Sequence, residues 1–155
     1  LHHLAMRCRD SEETREFYED FLGLPLVHAT KIVETKTGNA TNTLHIFFRM
    51  HDGSYLAFFE SPKKSFAFKE QHDFDLHTAL EVDETFMNEM ILKAKTLNIE
   101  TRGISDHDFF RSVYFRDPNG YVLELTAKQP HHDDNLDPIK NNARQILHDW
   151  QTDKI

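Results

Sequence analysis

The sequence predicts an α+β fold made of two βαβββ modules followed by a C-terminal helix. Two observations predict it. The order strand, helix, three strands can be read over about residues 1–62 and again over about 73–128. Matched residues also keep their order in the two halves. His3-Leu4-Ala5 lines up with His77-Thr78-Ala79, Leu22-Gly23-Leu24 with Leu97-Asn98-Ile99, and Asp52-Gly53 with Asn119-Gly120. At 155 residues the chain is long enough for one real core. Residues 1–128 are therefore expected to form one domain, and 129–155 a loop and helix.

Each element has its own signal. Residues 1–8 read as a strand. Asp10 or Ser11 then caps a helix, with Glu12 and Glu13 in the first turn where they favour the dipole. Phe17, Tyr18, Phe21 and Leu22 form its apolar stripe, and Gly23 ends it. Residues 24–33 and 42–50 read as strands joined by a polar loop at Gly38-Asn39. Asp52-Gly53 is a turn before a strand at 54–59, and 61–73 is a polar connection. In the second half, 74–82 reads as a strand. Asp83 or Glu84 starts a helix with Phe86, Met90 and Ala94 on one face, and Asn98 ends it. Residues 99–103, 110–116 and 121–126 supply three more strands. Residues 129–137 read as a loop. Asp137-Pro138 then opens a helix with Ile139, Ala143, Ile146, Leu147 and Trp150 on one stripe.

Composition narrows the function. The formal net charge of −8 disfavours nucleic acid, which needs clustered Lys and Arg. No apolar run is long enough to span a bilayer. The single cysteine excludes an internal disulfide and suits a reducing compartment. No secretory signal is legible, so a cytoplasmic location is expected. Cys8 alternates with apolar neighbours and reads as a buried structural thiol. Thirteen Phe, several of them paired, suit either an aromatic cavity or a dimer interface. A homodimer is expected, because one pair of modules and a spare amphipathic helix leave apolar surface to cover.

The chemistry centres on residues 107–125. Ser112, Tyr114 and Arg116 alternate with Val113 and Phe115, as on a half-buried strand. Asp117-Pro118-Asn119-Gly120 is a tight turn. The strand that follows holds one carboxylate, Glu124. Burying it is costly unless it is paired or ligates a metal. His3 and His77 stand at matching places in the first strand of each half. Two imidazoles and a carboxylate suit a divalent ion.

Paired βαβββ halves with these residues resemble the vicinal oxygen chelate superfamily. It includes glyoxalase I, extradiol ring-cleavage dioxygenases, fosfomycin-resistance transferases, methylmalonyl-CoA epimerase and bleomycin-binding proteins. The resemblance covers residues 1–127. It implies a half-open mixed sheet and a metal held by His3, His77 and Glu124. For the family's fourth ligand position, turn-to-turn alignment puts Ala57 opposite Glu124. Glu60 lies three residues on, and only a bulge would return it to that face. Three ligands with open positions suit Fe(II), with Mn(II), Zn(II), Ni(II) and Co(II) left open. His107, Val113-Tyr114, Asp117-Pro118, Gly120 and Glu124 are similar to the extradiol dioxygenase signature. That implies His107 as acid/base, Tyr114 as a hydrogen-bond partner of the substrate, and an aromatic diol or other vicinal-oxygen compound as substrate. Ser105 departs from the signature, His72 only loosely matches a further family histidine, and many extradiol enzymes carry two such domains. Two alternatives stay open. One is a glyoxalase-type lyase or epimerase working through an enediolate. The other is a non-catalytic binding protein of the bleomycin-resistance kind.

Overall fold

The structure, a computed structural model, describes residues 1–154. The first half contains β1 (His3–Cys8), α1 (Ser11–Arg15), β2 (Leu26–Glu34), β3 (Ala40–Arg49) and β4 (Tyr55–Glu60). The second contains β5 (Thr78–Glu81), α2 (Glu84–Thr96), β6 (Thr101–Asp106), β7 (Phe110–Arg116) and β8 (Val122–Lys128). The eight strands form two four-stranded mixed sheets, ordered β1-β4-β3-β2 and β5-β8-β7-β6. In each sheet the first strand runs parallel to the last and the others pair antiparallel. The fold is α+β, and its two sheets have one topology.

The cap of α1 is Asp10, whose side chain accepts from the N–H groups of Glu12 and Glu13. The helix runs on in π-helical geometry over Glu16–Phe21, and Leu22 N–H reaches back to Phe17 O at 3.0 Å. That wider turn keeps Phe17, Tyr18 and Phe21 all buried. Asp83 caps α2 through Phe86 N–H.

One face of each sheet packs against helices. Leu56 and Phe58 of β4, with Phe115, Leu123 and Leu125 of the second sheet, join Tyr18, Phe21, Met87 and Met90 in a single core. The halves meet there. Phe21 sits edge-on to Phe115, with centroids 5.4 Å apart. Tyr18 donates to Asp117 at 3.0 Å. Lys93 donates to the carbonyls of Asp20 and Phe21 at 2.6 and 2.8 Å. Cys8 is fully buried in this core, and burial pushes its thiol pKa up to about 11.

Two elements differ from the sequence expectation. The strand expected at 74–82 is only Thr78–Glu81. Asp75 and Leu76 N–H instead close turns on His72 O, leaving Phe74 exposed. The tail holds two helices, α3 (His132–Leu136) and α4 (Ala143–Asp153), rather than one starting at Pro138. Asp137 does cap a turn, accepting from Ile139 N–H at 2.9 Å, but the helix does not continue from it. No helix among the described residues is long and apolar enough to cross a membrane.

Candidate functional site

Glu124 lies in β8 on the sheet face turned away from the helices. In a pleated strand alternate residues share a face. Leu123 and Leu125 belong to the core, so Glu124 points the other way, beside its cross-strand partner Tyr114. The carboxylate is 3% exposed, so it must be satisfied inside the protein. Ser112 Oγ donates a very short hydrogen bond to Oε1, and Thr126 Oγ1 donates to the same oxygen at 3.0 Å. Oε2 faces His77 Nε2 at 2.9 Å.

The tautomer of His77 follows from its other nitrogen. Nδ1 lies 2.6 Å from the carbonyl oxygen of Asp73, which can only accept. Nδ1 therefore carries a proton. In neutral His77, Nε2 then presents a lone pair to a carboxylate oxygen. The two repel unless a proton or a cation lies between them. A ring N–H tied to a backbone carbonyl is also the usual outer support of a metal-bound histidine. The donor chemistry of this His–Glu pair suits a divalent ion.

His3 occupies the corresponding place in the first sheet. His3 is followed by Ala5, which pairs with Ala57; His77 is followed by Ala79, which pairs with Glu124. Ala57 is thus the counterpart of Glu124, as the turn alignment predicts. Glu60 follows Leu56 and Phe58 on the helix side, where Oε2 accepts from Ser11 N–H at 2.8 Å. The ring neighbours of His3 lie in its own half: Phe47 at 5.7 Å and His2, whose Nδ1 is 2.7 Å from His3 Nδ1. Within one chain the fold brings His77 and Glu124 together and leaves His3 on the other sheet. Among the described residues, no three His, Cys, Asp or Glu are gathered tightly enough to hold an ion.

Tyr114 and His107 stand beside the pair. The Tyr114 hydroxyl is 3.4 Å from His107 Nε2, and its ring centroid is 6.2 Å from that of His77. Burial, and then the negative charge of Glu124, hold the Tyr114 phenol above its ordinary pKa. His107 stacks on Phe110 at 4.6 Å. Sequence reasoning missed four supports. Ser112 and Thr126 share the face of Glu124, a signal readable from the period of two. Arg102 lies 4.6 Å above the Tyr114 ring, and Asp73 holds it at 2.6 Å. These two become neighbours only through folding, and the carbonyl that orients His77 has no side-chain signal.

The model of the Glyoxalase/Bleomycin resistance protein/Dioxygenase superfamily matches residues 1–125. The chain belongs to this superfamily. No curated protein matches the chain. Several solved structures share the fold. A fosfomycin resistance protein, FosX, from Listeria monocytogenes, complexed with Mn(II) and sulfate ion, is 20% identical. Its match covers 86% of this chain and 95% of that one, with a TM-score of 0.63. A glyoxalase/dioxygenase from Nostoc punctiforme is 22% identical over 83% of this chain and 90% of that one, at 0.63. A glyoxylase/bleomycin resistance protein/dioxygenase domain from Frankia sp. EAN1pec is 16% identical over 83% and 97%, at 0.68.

Proposed function

We propose that the protein is a divalent-metal enzyme acting on a substrate that presents two adjacent oxygens, and that its site is shared by two chains of a homodimer. His77 and Glu124 come from one chain and His3 from the other. The observation that carries this reading is the 2.9 Å approach of His77 Nε2 to Glu124 Oε2 with Nδ1 already committed to a carbonyl. A divalent ion held by these residues would supply Lewis acidity. The chain's own groups do the rest. Ser112 and Thr126 fix Glu124, and the Asp73 carbonyl fixes the His77 ring. Tyr114 hydrogen-bonds a substrate oxygen, and His107, 3.4 Å from the Tyr114 hydroxyl, serves as the acid/base.

Ring cleavage of a catechol-like aromatic beside its diol is the reaction we favour. Its support is Ala57 in the place matching Glu124. A three-ligand set leaves positions for substrate and oxygen, as in non-haem Fe(II) oxygenases. A lyase or isomerase acting through an enediolate is the second reading. A structural neighbour of this chain is a fosfomycin resistance protein complexed with Mn(II), an ion that suits such chemistry equally.

Elemental analysis and oxygen uptake test the proposal together. Purified protein is expected to hold a divalent metal, and His77→Ala to lose it. Anaerobic loading with Fe(II), followed by catechols and air, is expected to give oxygen uptake and a coloured product. A silent oxygen electrode across a catechol panel, with metal bound, would move the assignment to the lyase or isomerase. Absence of bound metal would end both.

A further inference from the structure

His3 and His77 stand at matching positions, but the two sheets hold them differently. His3 lies inside its ladder, paired with Tyr55, and Tyr55 N–H donates to the carbonyl of His2 at 3.0 Å. The second ladder opens later, with Thr78 against Leu123. Val122 is the counterpart of Tyr55, two residues before Glu124 as Tyr55 is before Ala57. Its N–H donates at 3.4 Å to the Gln71 side chain instead. His77 therefore sits just outside the sheet, at the end of the segment 72–77.

Little else holds that segment. Phe74 and Leu76 are exposed, so neither anchors it by burial. The N–H groups of Asp75 and Leu76 turn back on His72 O, inside the segment. In neutral His77 the approach to Glu124 sets a lone pair against a carboxylate oxygen and gives no grip. Among the described residues the remaining hydrogen-bonded tie is Asp73. Its Oδ2 accepts from Arg102 Nη2 of β6 at 2.6 Å, and its carbonyl accepts from His77 Nδ1 at 2.6 Å. One residue thus joins β6 to the His77 ring.

Arg102 is itself placed. It pairs across the sheet with Tyr114, and Tyr114 with Glu124, so the three form a row on one face. The guanidinium lies 4.6 Å from the centre of the Tyr114 ring, within cation–π range. Tyr114 in turn stands 6.2 Å from His77, which closes a circuit of four residues: Arg102, Asp73, His77 and Tyr114. The Arg102 side chain is 58% exposed, and an ion pair that open adds little to stability. Its effect is local.

We infer that Arg102 is a positioning residue. Through Asp73 it holds the segment 72–77 against the sheet and fixes the tautomer and direction of the His77 ring. Restraining the Asp73 carboxylate restrains its carbonyl, because few bonds separate them. This geometry belongs to a single chain and needs no second copy. Its use in holding a metal rests on the functional reading above.

The test removes each end of the tie. Arg102→Met and Asp73→Ala both leave the Asp73 backbone carbonyl in place. Nitrogen-15 NMR of labelled histidines, at about pH 8 where imidazole is neutral, reads the His77 tautomer without metal. The His77→Gln spectrum assigns the signal. Wild type is expected to show the Nδ1–H form, and both variants a mixture with the Nε2–H form. Competition of Zn(II) against a chromophoric chelator is expected to show affinity about 10-fold lower in each variant, at the low end for outer supports of a ligand. The double variant is expected to lose no more than either single one, since both cut the same tie. Urea midpoints should move little, which a merely structural ion pair would share; the tautomer and the Zn(II) affinity separate the two roles. An unchanged tautomer in Arg102→Met, or losses that add in the double variant, would overturn the inference. A wild type that binds no Zn(II) removes the metal reading alone, and the tautomer still decides the role of Arg102.

Discussion

Glu124 is a buried carboxylate with each oxygen facing a different set of neighbours. Ser112 and Thr126 satisfy one carboxylate oxygen and thereby aim the other at His77. If that aim serves a metal, loosening it costs affinity. Ser112→Ala with Thr126→Val is expected to weaken metal binding by roughly 10–100-fold with little change in fold. Competition against a chromophoric chelator measures this, and an unchanged affinity would show that the two hydroxyls only fill space. At this scale the sequence was informative where chemistry repeats. His3 and His77 are matched by the module repeat, and Glu124 stands out as a charge in an apolar strand. Turn alignment also separated Ala57 from Glu60, because strand parity is set by counting. The Asp73 carbonyl that orients His77 was not legible, because a backbone acceptor leaves no mark in a sequence.

The turn Asp117–Gly120 ties several elements together. Asp117 accepts from Tyr18 Oη, from the N–H groups of Asn119 and Tyr121, and from the Asn119 side chain. Asn119 in turn accepts from Arg9 N–H at 2.8 Å and donates to Thr14. Gly120 has φ of +94°, and a Cβ there would lie 2.6 Å from Lys69 N. The connection leading to His77 packs that closely on the turn. Burial raises the Asp117 pKa above the ordinary carboxylate value, against the pull of its hydrogen bonds. The folded state thus holds this proton more tightly than the unfolded chain. Its contribution to stability is fullest at low pH and is lost as pH rises through the folded value. From about pH 4 to about pH 7, wild type is expected to lose stability relative to Asp117→Asn, read as urea midpoints. The opposite slope would mean that the hydrogen bonds outweigh burial. Turn residues were legible here because Asp-Pro-Asn-Gly encodes local geometry. The start of β5 and the break between α3 and α4 were not, since Phe74 and Ile139 are apolar residues that the fold leaves exposed.

For the whole molecule, the decisive fact is that the two halves of one chain meet through helices and core, while His3 and the His77–Glu124 pair lie on separate sheets. The repeat in the sequence predicted equivalent positions. It could not say whether they meet within a chain or between chains, because both pairings satisfy the same residues. A two-fold dimer gives each site one His3 from the opposite chain and forms two sites at once. Complementation tests this most directly. His3→Ala and His77→Ala are each expected to bind no metal as homodimers. Co-expressed with different tags and purified as the mixed dimer, they are expected to regain metal at one of the two sites, where the intact His3 meets the intact His77 and Glu124. A mixed dimer that binds no metal, although the wild type does, would contradict the shared site.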